Sequence, residues 1–95
     1  MKTKVYHLVS YKTAQKILGR KTATIQRWKR NNILINNVHY VKREGRYRYI
    51  AEMLDHLVSY GHDHPVHQQV CHDFSKDYNS NKVRLVMGDK YQEVG

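Results

Sequence analysis

The run Gly19-Arg20-Lys21-Thr22-Ala23-Thr24-Ile25-Gln26-Arg27-Trp28-Lys29-Arg30, inside the stretch from Thr13 to Tyr49, decides how this chain is read. Ile25 and Trp28 are three apart, which brings both to one side of a helix, while Thr24, Gln26, Arg27, Lys29 and Arg30 cover the rest with polar and cationic groups. The spacing predicts a helix over about residues 23–30, held down on one side and offered outward on the other. Just before it, Ala14-Gln15-Lys16-Ile17-Leu18 reads as part of a first helix from about residue 11, with Ser10 as its cap. The small Ala14 lets a second helix approach, and Gly19 suits the left-handed residue that ends a helix. Two helices joined by a tight glycine-containing turn form a helix-turn-helix, whose second helix can enter a DNA major groove.

Each exposed residue of that unit then has an expected part. Gln26 matches the donor and acceptor pair of adenine, and Arg27 the two acceptors of guanine. Thr24 suits a thymine methyl or a phosphate, while Lys29 and Arg30 fall to the DNA backbone. Arg20 and Lys21 lie in the turn, where they can meet the DNA backbone, and Thr22 is the expected cap of the second helix, leaving its positive end free to hold a phosphate. Trp28 reads as the packing anchor. A charged helix face is also what ordinary solvated surface looks like, so the assignment leans on what surrounds the helix.

Downstream, Asn31-Asn32 and Asn36-Asn37 bracket Ile33-Leu34-Ile35, and asparagine tolerates a left-handed backbone. Residues 38–43 and 46–49 read as two strands joined at Glu44-Gly45, a hairpin. Alternation turns Tyr47 and Tyr49 inward and Arg46 and Arg48 outward. Lys42, Arg43, Arg46 and Arg48 are the expected contacts to phosphates or a narrow minor groove, with a structural ion pair as the other reading of Arg48.

At this point the residues resemble a known family. Thr13-Ala14-Gln15-Lys16-Ile17-Leu18-Gly19 followed by Thr24-Ile25-Gln26-Arg27-Trp28 is similar to the N-terminal winged helix-turn-helix of MerR-type regulators and phage excisionase-like proteins. The resemblance continues through Val38-His39-Tyr40-Val41 and Gly45-Arg46-Tyr47-Arg48-Tyr49, where such proteins place their wing, and covers roughly residues 6 to 58. Gln26 stands where MerR-type proteins usually carry arginine, and nothing resembles their long dimerising helix. The excisionase-like or phage-regulator class is the closer match. It implies a transcriptional regulator or a DNA-bending architectural factor, prokaryotic or phage-encoded and associated with the nucleoid.

Charge supports a polyanionic partner. The 95-residue chain has a formal net charge of +9, and thirteen of its 17 Lys and Arg lie at positions 2–48 against one acid, Glu44. The remaining four face seven acids in residues 49–95, so the basic excess belongs to the N-terminal half alone. Such asymmetry is the footprint of a salt-dependent, phosphate-binding face. No run approaches the roughly 20 apolar residues of a membrane span, and no signal peptide is seen at the start. A single cysteine, Cys71, excludes an internal disulfide and fits a cytoplasmic protein.

The chain changes character after residue 49. Ile50, Met53, Leu54, Leu57 and Val58 follow helical spacing and should close the core behind the second helix. Asp63-His64-Pro65 starts another helix, whose stripe of Val66, Val70, Phe74 and Tyr78 either folds back or meets a second subunit. Val5-Tyr6-His7-Leu8-Val9 is prone to form a small strand beside the wing, and residues 82–87 a short strand or an ordered arm. The polar end, Gly88 to Gly95, is expected to fray.

One further cluster is rich in histidine: His56, His62, His64, His67 and His72, with Cys71. His67 and Cys71 have i, i+4 ligand spacing, and His62 or His64 could join them from the preceding loop, although the pattern matches no closed zinc-finger motif. The balance at this level is against a metal or any cofactor. No glycine-rich phosphate loop, carboxylate pair or activated nucleophile suggests an enzyme.

The expected architecture is therefore mainly α: a winged helix-turn-helix with a small β-hairpin wing over residues 1–60, and a C-terminal helical extension over residues 61–95. The expected partner is double-stranded DNA, bound as a homodimer or in cooperative tandem. The alternatives are a protein-interaction adaptor that uses the C-terminal helix, with nonspecific nucleic-acid binding by the basic face, and an RNA-binding protein whose tyrosines stack on bases.

Overall fold

In the computed structural model, which describes residues 3–88, the chain runs β1 (Lys4–Val9), α1 (Tyr11–Leu18), α2 (Thr22–Arg30), β2 (Tyr40–Arg43), β3 (Arg46–Ile50), α3 (Ala51–Tyr60), α4 (Pro65–Asn79) and β4 (Val83–Met87). The four strands form one mixed sheet in the order β2-β3-β1-β4. With 49% helix and 24% strand in a single curled sheet, this is an α+β fold and not the mainly α winged helix-turn-helix expected from the sequence. The cause is the addition of β1 and β4 to the β2–β3 hairpin. β1 is antiparallel to β3 through Leu8↔Ile50 and Val9↔Tyr49. It is also parallel to β4 from Lys4↔Val83 to Leu8↔Met87. Two short β-prone runs at opposite ends of the chain thus complete each other. Of the polar end, only Gly88 falls within the described residues, so the expected fraying of the rest lies outside them.

Period-two alternation gives this sheet two cores. Val9 and Tyr49 turn to one face, where they join Ala14, Leu18, Ile25, Leu34, Leu54 and Leu57. Leu8 and Ile50 turn to the other and meet Val38, Val41, Met53, Cys71 and Phe74. α1, α2 and α3 cover the first face, and α4 packs on the second. The stripe on α4 therefore folds back: Phe74 is buried, with its ring edge-on to Tyr6 at 4.8 Å and stacked on Tyr78 at 5.9 Å. Val66 at the head of that stripe is left 44% exposed, and Val58 on α3 53%, so neither takes the core position its spacing suggests.

Local rules account for the ends of the elements. Ser10 caps α1, its Oγ accepting from the Thr13 N–H at 3.3 Å, and Gly19 ends the helix at φ 64°. α2 begins differently from expectation: Lys21 is its cap residue and makes no side-chain cap bond. Thr22 sits one position too late to cap, and its hydroxyl accepts instead from Gln15 Nε2 at 2.9 Å, which fixes the α1–α2 turn. Asn32 and Asn37 take φ values of 58° and 64° in the crossing to β2. Glu44 and Gly45 are both at positive φ, 52° and 78°, the two-residue hairpin geometry whose twist matches its strands. His64 caps α4 through Nδ1, which accepts from the Val66 N–H at 3.1 Å, and Pro65 occupies the first turn. No helix among the described residues is long and apolar enough to cross a membrane.

Candidate nucleic-acid interface

α2 is anchored by Ile25, which is fully buried, and by the half-buried Trp28. That anchorage leaves Gln26, Arg27 and Arg30 exposed. Thr24 is half-buried and lies about 200° round the helix from Gln26, so the two do not share a face. The hairpin stands beside α2 on the Gln26 side. Tyr11, Thr22, Gln26, Lys29, Arg46, Tyr47 and Tyr49 line a groove of about 310 Å³ between them. No acidic residue among the described residues lines it.

Lys29 does not reach outward as a backbone contact. Its Nζ sits 4.1 Å from the Tyr47 ring centroid, 4.7 Å from Tyr40 and 5.3 Å from Tyr49, a cation held against three aromatic faces. Burial lowers its pKa. Burial also pushes the Tyr49 hydroxyl up to about 12, with Tyr11, Tyr40 and Tyr47 adding to the effect. Alternation on the hairpin sets the tyrosines on this face, as the sequence implied, although the Tyr47 side chain remains 48% exposed.

The expected hairpin cations divide between two faces. Lys42 shares the α2 side, its Nζ 5.8 Å from the Tyr47 ring, and Arg46 at the tip borders the groove. Arg43, Arg46 and Arg48 surround a separate hollow of about 400 Å³ on the opposite face, with Glu44, Leu8 and Met87. Arg48 is half-buried there, and no salt bridge to it is found among the described residues.

A second cationic surface was not foreseen. Lys12, Gln15, Lys16, Arg20, Lys21, Thr22 and Ala23 border an open depression of about 610 Å³ at the start of α2. It brings the expected Arg20 and Lys21 together with Lys12 and Lys16, which are one turn apart on α1. The Arg20 guanidinium is itself steadied 5.9 Å from the Trp28 ring centroid. Again no acid is found among the described lining residues.

Of the histidine-rich group, His67 and Cys71 do converge in the interior, with Nε2 and Sγ 3.3 Å apart. His64 does not join them, being engaged as the α4 cap. The third member is His39, from the loop before β2, which is only 1% exposed. Burial, and then the neighbouring His67, pushes the His39 pKa down to about 3, and burial pushes the Cys71 thiol up to about 11. No sequence signal ties His39 to residues 67 and 71, because only the packing of α4 on the sheet brings them together.

The fold and the site define a small α+β protein with a basic face built from a helix pair and a hairpin. No family model, no curated protein and no solved structure matches the chain.

Proposed function

We propose that the chain binds double-stranded DNA, with α2 directed to the major groove and the β2–β3 hairpin to the phosphate backbone or minor groove. The observation that carries this reading is the groove between Gln26 on α2 and Arg46 on the hairpin, with no acid among its described lining residues, on elements that also expose Arg27, Arg30 and Lys42. Side chains on one exposed helix can read base edges, while cations on two flanking surfaces fix position on the backbone. Lys12, Lys16, Arg20 and Lys21 supply the first of those surfaces and the hairpin the second. The resemblance of residues 6 to 58 to MerR-type and excisionase-like proteins is the support for a role as a small transcriptional regulator or an architectural factor in recombination. One such helix is a small interface, so dimerisation or cooperative tandem binding completes the proposal. An adaptor role would need a surface other than the α4 stripe, whose Phe74 is buried in the second core.

The test is selection of duplexes from a random pool, followed by titration of the selected duplex and a scrambled control across a salt series. A defined motif, held tightly over the control and weakened by Gln26→Ala or Arg27→Ala, supports reading by α2. Binding that falls with salt and shows no motif overturns the specific reading and leaves a nonspecific polyanion surface.

A further inference from the structure

Three ligand-capable atoms meet between α4 and the loop that precedes β2. His39 Nε2 and His67 Nε2 are 3.0 Å apart. Cys71 Sγ is 3.3 Å from the second and 3.7 Å from the first. All three residues are buried, at 1%, 1% and 9% exposure. Each is held from behind. His67 and Cys71 are one turn apart on α4, which stacks them on one face. The His39 backbone is fixed at both ends: its N–H donates to Ile35 O at 2.9 Å and its carbonyl accepts from Ile50 N–H at 2.9 Å.

Hydrogen bonding alone explains part of this arrangement. Ile35 N–H donates to His39 Nδ1 at 3.0 Å, so neutral His39 carries its proton on Nε2 and donates to His67 Nε2. His67 then carries its proton on Nδ1 and donates to His56 Nδ1 at 2.9 Å. That chain is complete without a thiol, yet Cys71 Sγ closes the triangle. The side lengths are informative. With zinc bond lengths, a tetrahedral centre sets two nitrogens about 3.3 Å apart and nitrogen and sulfur about 3.5 Å apart, and trigonal coordination spreads both further. The triangle here has the smaller, tetrahedral size, and its three atoms lie within 4.8 Å of one another.

We propose that His39 Nε2, His67 Nε2 and Cys71 Sγ form a zinc-binding site and supply three of its four tetrahedral ligands. The donor set of two imidazoles and one thiolate suits a borderline-soft divalent ion. His56 is the outer partner, since its Nδ1 accepts from His67 Nδ1–H and so holds His67 in the tautomer that frees Nε2. Binding releases the Cys71 thiol proton to solvent. It also shifts the His39 proton from Nε2 to Nδ1, where the Ile35 N–H now points. Loading the site therefore breaks the Ile35–His39 hydrogen bond. Ile35 lies in the segment that leads from the end of α2 into β2, so the ion acts on the connection between the two parts of the DNA-facing surface.

The experiment is titration of the full chain with Co2+, followed by displacement with Zn2+. The expected result is one ion per chain, intense visible bands of tetrahedral cobalt and a near-ultraviolet thiolate charge-transfer band. Cys71 is the only cysteine, so that band has one source. Zinc should bleach both signals and move the Ile35 amide resonance, while Cys71→Ser should lose the charge-transfer band and bind at least tenfold more weakly, about the scale set by loss of even an outer partner. His72→Ala, an exposed neighbour, should bind as the unaltered chain does. Cobalt binding without a thiolate band, or zinc binding that leaves Ile35 unmoved, would mean that the ion sits on exposed histidines and would overturn the site. Because the band and the Ile35 shift are read on the unaltered chain, the outcome holds even if a variant fails to fold.

Discussion

Lys29 Nζ lies 4.1 Å from the centroid of the Tyr47 ring, so a cation from α2 is clasped by the hairpin. A cation on an aromatic face is worth about 0.5–1 kcal/mol when exposed and about 2 when desolvated. Lys29→Met keeps the stem and removes the charge, and should cost about 1–2 kcal/mol on that scale. A double-mutant cycle with Tyr47→Ala, measured by urea unfolding, should give a coupling of about 1 kcal/mol. Additive losses would show that the charge and the Tyr47 ring are not coupled.

The two classes of cation should separate in DNA binding. Arg27→Ala is expected to cost about 1–3 kcal/mol on the selected duplex and much less on a scrambled one, the signature of lost base reading. Arg46→Ala should weaken both duplexes alike and lower the slope of log K against log salt by about one unit. Anisotropy titrations at several salt concentrations distinguish them. Equal losses on both duplexes for Arg27→Ala would place it on the backbone.

The depression at the start of α2 predicts a further salt effect. Lys12→Ala and Lys16→Ala should each reduce the salt slope by up to about one unit, because each removes a cation that displaces condensed counterions. Lys76→Ala, on α4 and in the lining of neither groove, serves as the control and should leave the slope unchanged. If the α1 lysines behave like the control, DNA does not extend across the α1–α2 turn.

Acid should destabilise the metal-free chain through His39. Its folded pKa is pushed down to about 3 by burial and by His67, while the unfolded residue takes up its proton near the usual value of about 6.5. The unfolded state then binds more protons between those limits. Stability is complete above about pH 6.5 and falls as pH drops toward about 3, by at most about 5 kcal/mol. Urea midpoints in the presence of a chelator should follow this course, and His39→Asn should flatten it relative to the unaltered chain. An unchanged difference between the two across that range would remove His39 as the cause.

Phe74 tests whether the second core matters as much as the first. It is 1% exposed and packs edge-on against Tyr6. Phe74→Ala should cost about 3–5 kcal/mol, a large part of the 5–15 kcal/mol that stabilises a typical domain. Thermal and urea unfolding would measure it. A loss below about 1 kcal/mol would mean that α4 and β1 are only loosely joined.

The parts of the molecule that sequence made visible are those with short-range rules. Ile25 and Trp28 announce α2 by their spacing, Gly19 ends α1, Pro65 opens α4, and Glu44-Gly45 turns the hairpin. The parallel pairing of β1 with β4 has no such signature, since Val5 to Val9 and Val83 to Met87 look like isolated short runs until the chain has folded. That one pairing changed the fold class. In the candidate interface, exposed positions such as Gln26 and Arg27 were legible from the helix period. The clasp of Lys29 was not, because it depends on where the hairpin sits relative to α2. His39 was hidden for the same reason: its partners are on a helix that begins 26 residues later, at Pro65.

The parallel neighbours β1 and β4 also set the order in which this protein can be made. Lys4 cannot meet Val83 until nearly everything between them has left the ribosome. Closing so large a loop is slow, because its entropy is lost before the strand contacts return any of it. During synthesis, the basic helix pair and the hairpin emerge early, while one edge of β1 waits without its neighbour. That waiting edge is a template for strands of other chains. The interval before β4 arrives is thus when self-association competes with folding, and faster completion of the last two elements is the change that would raise the yield of folded protein.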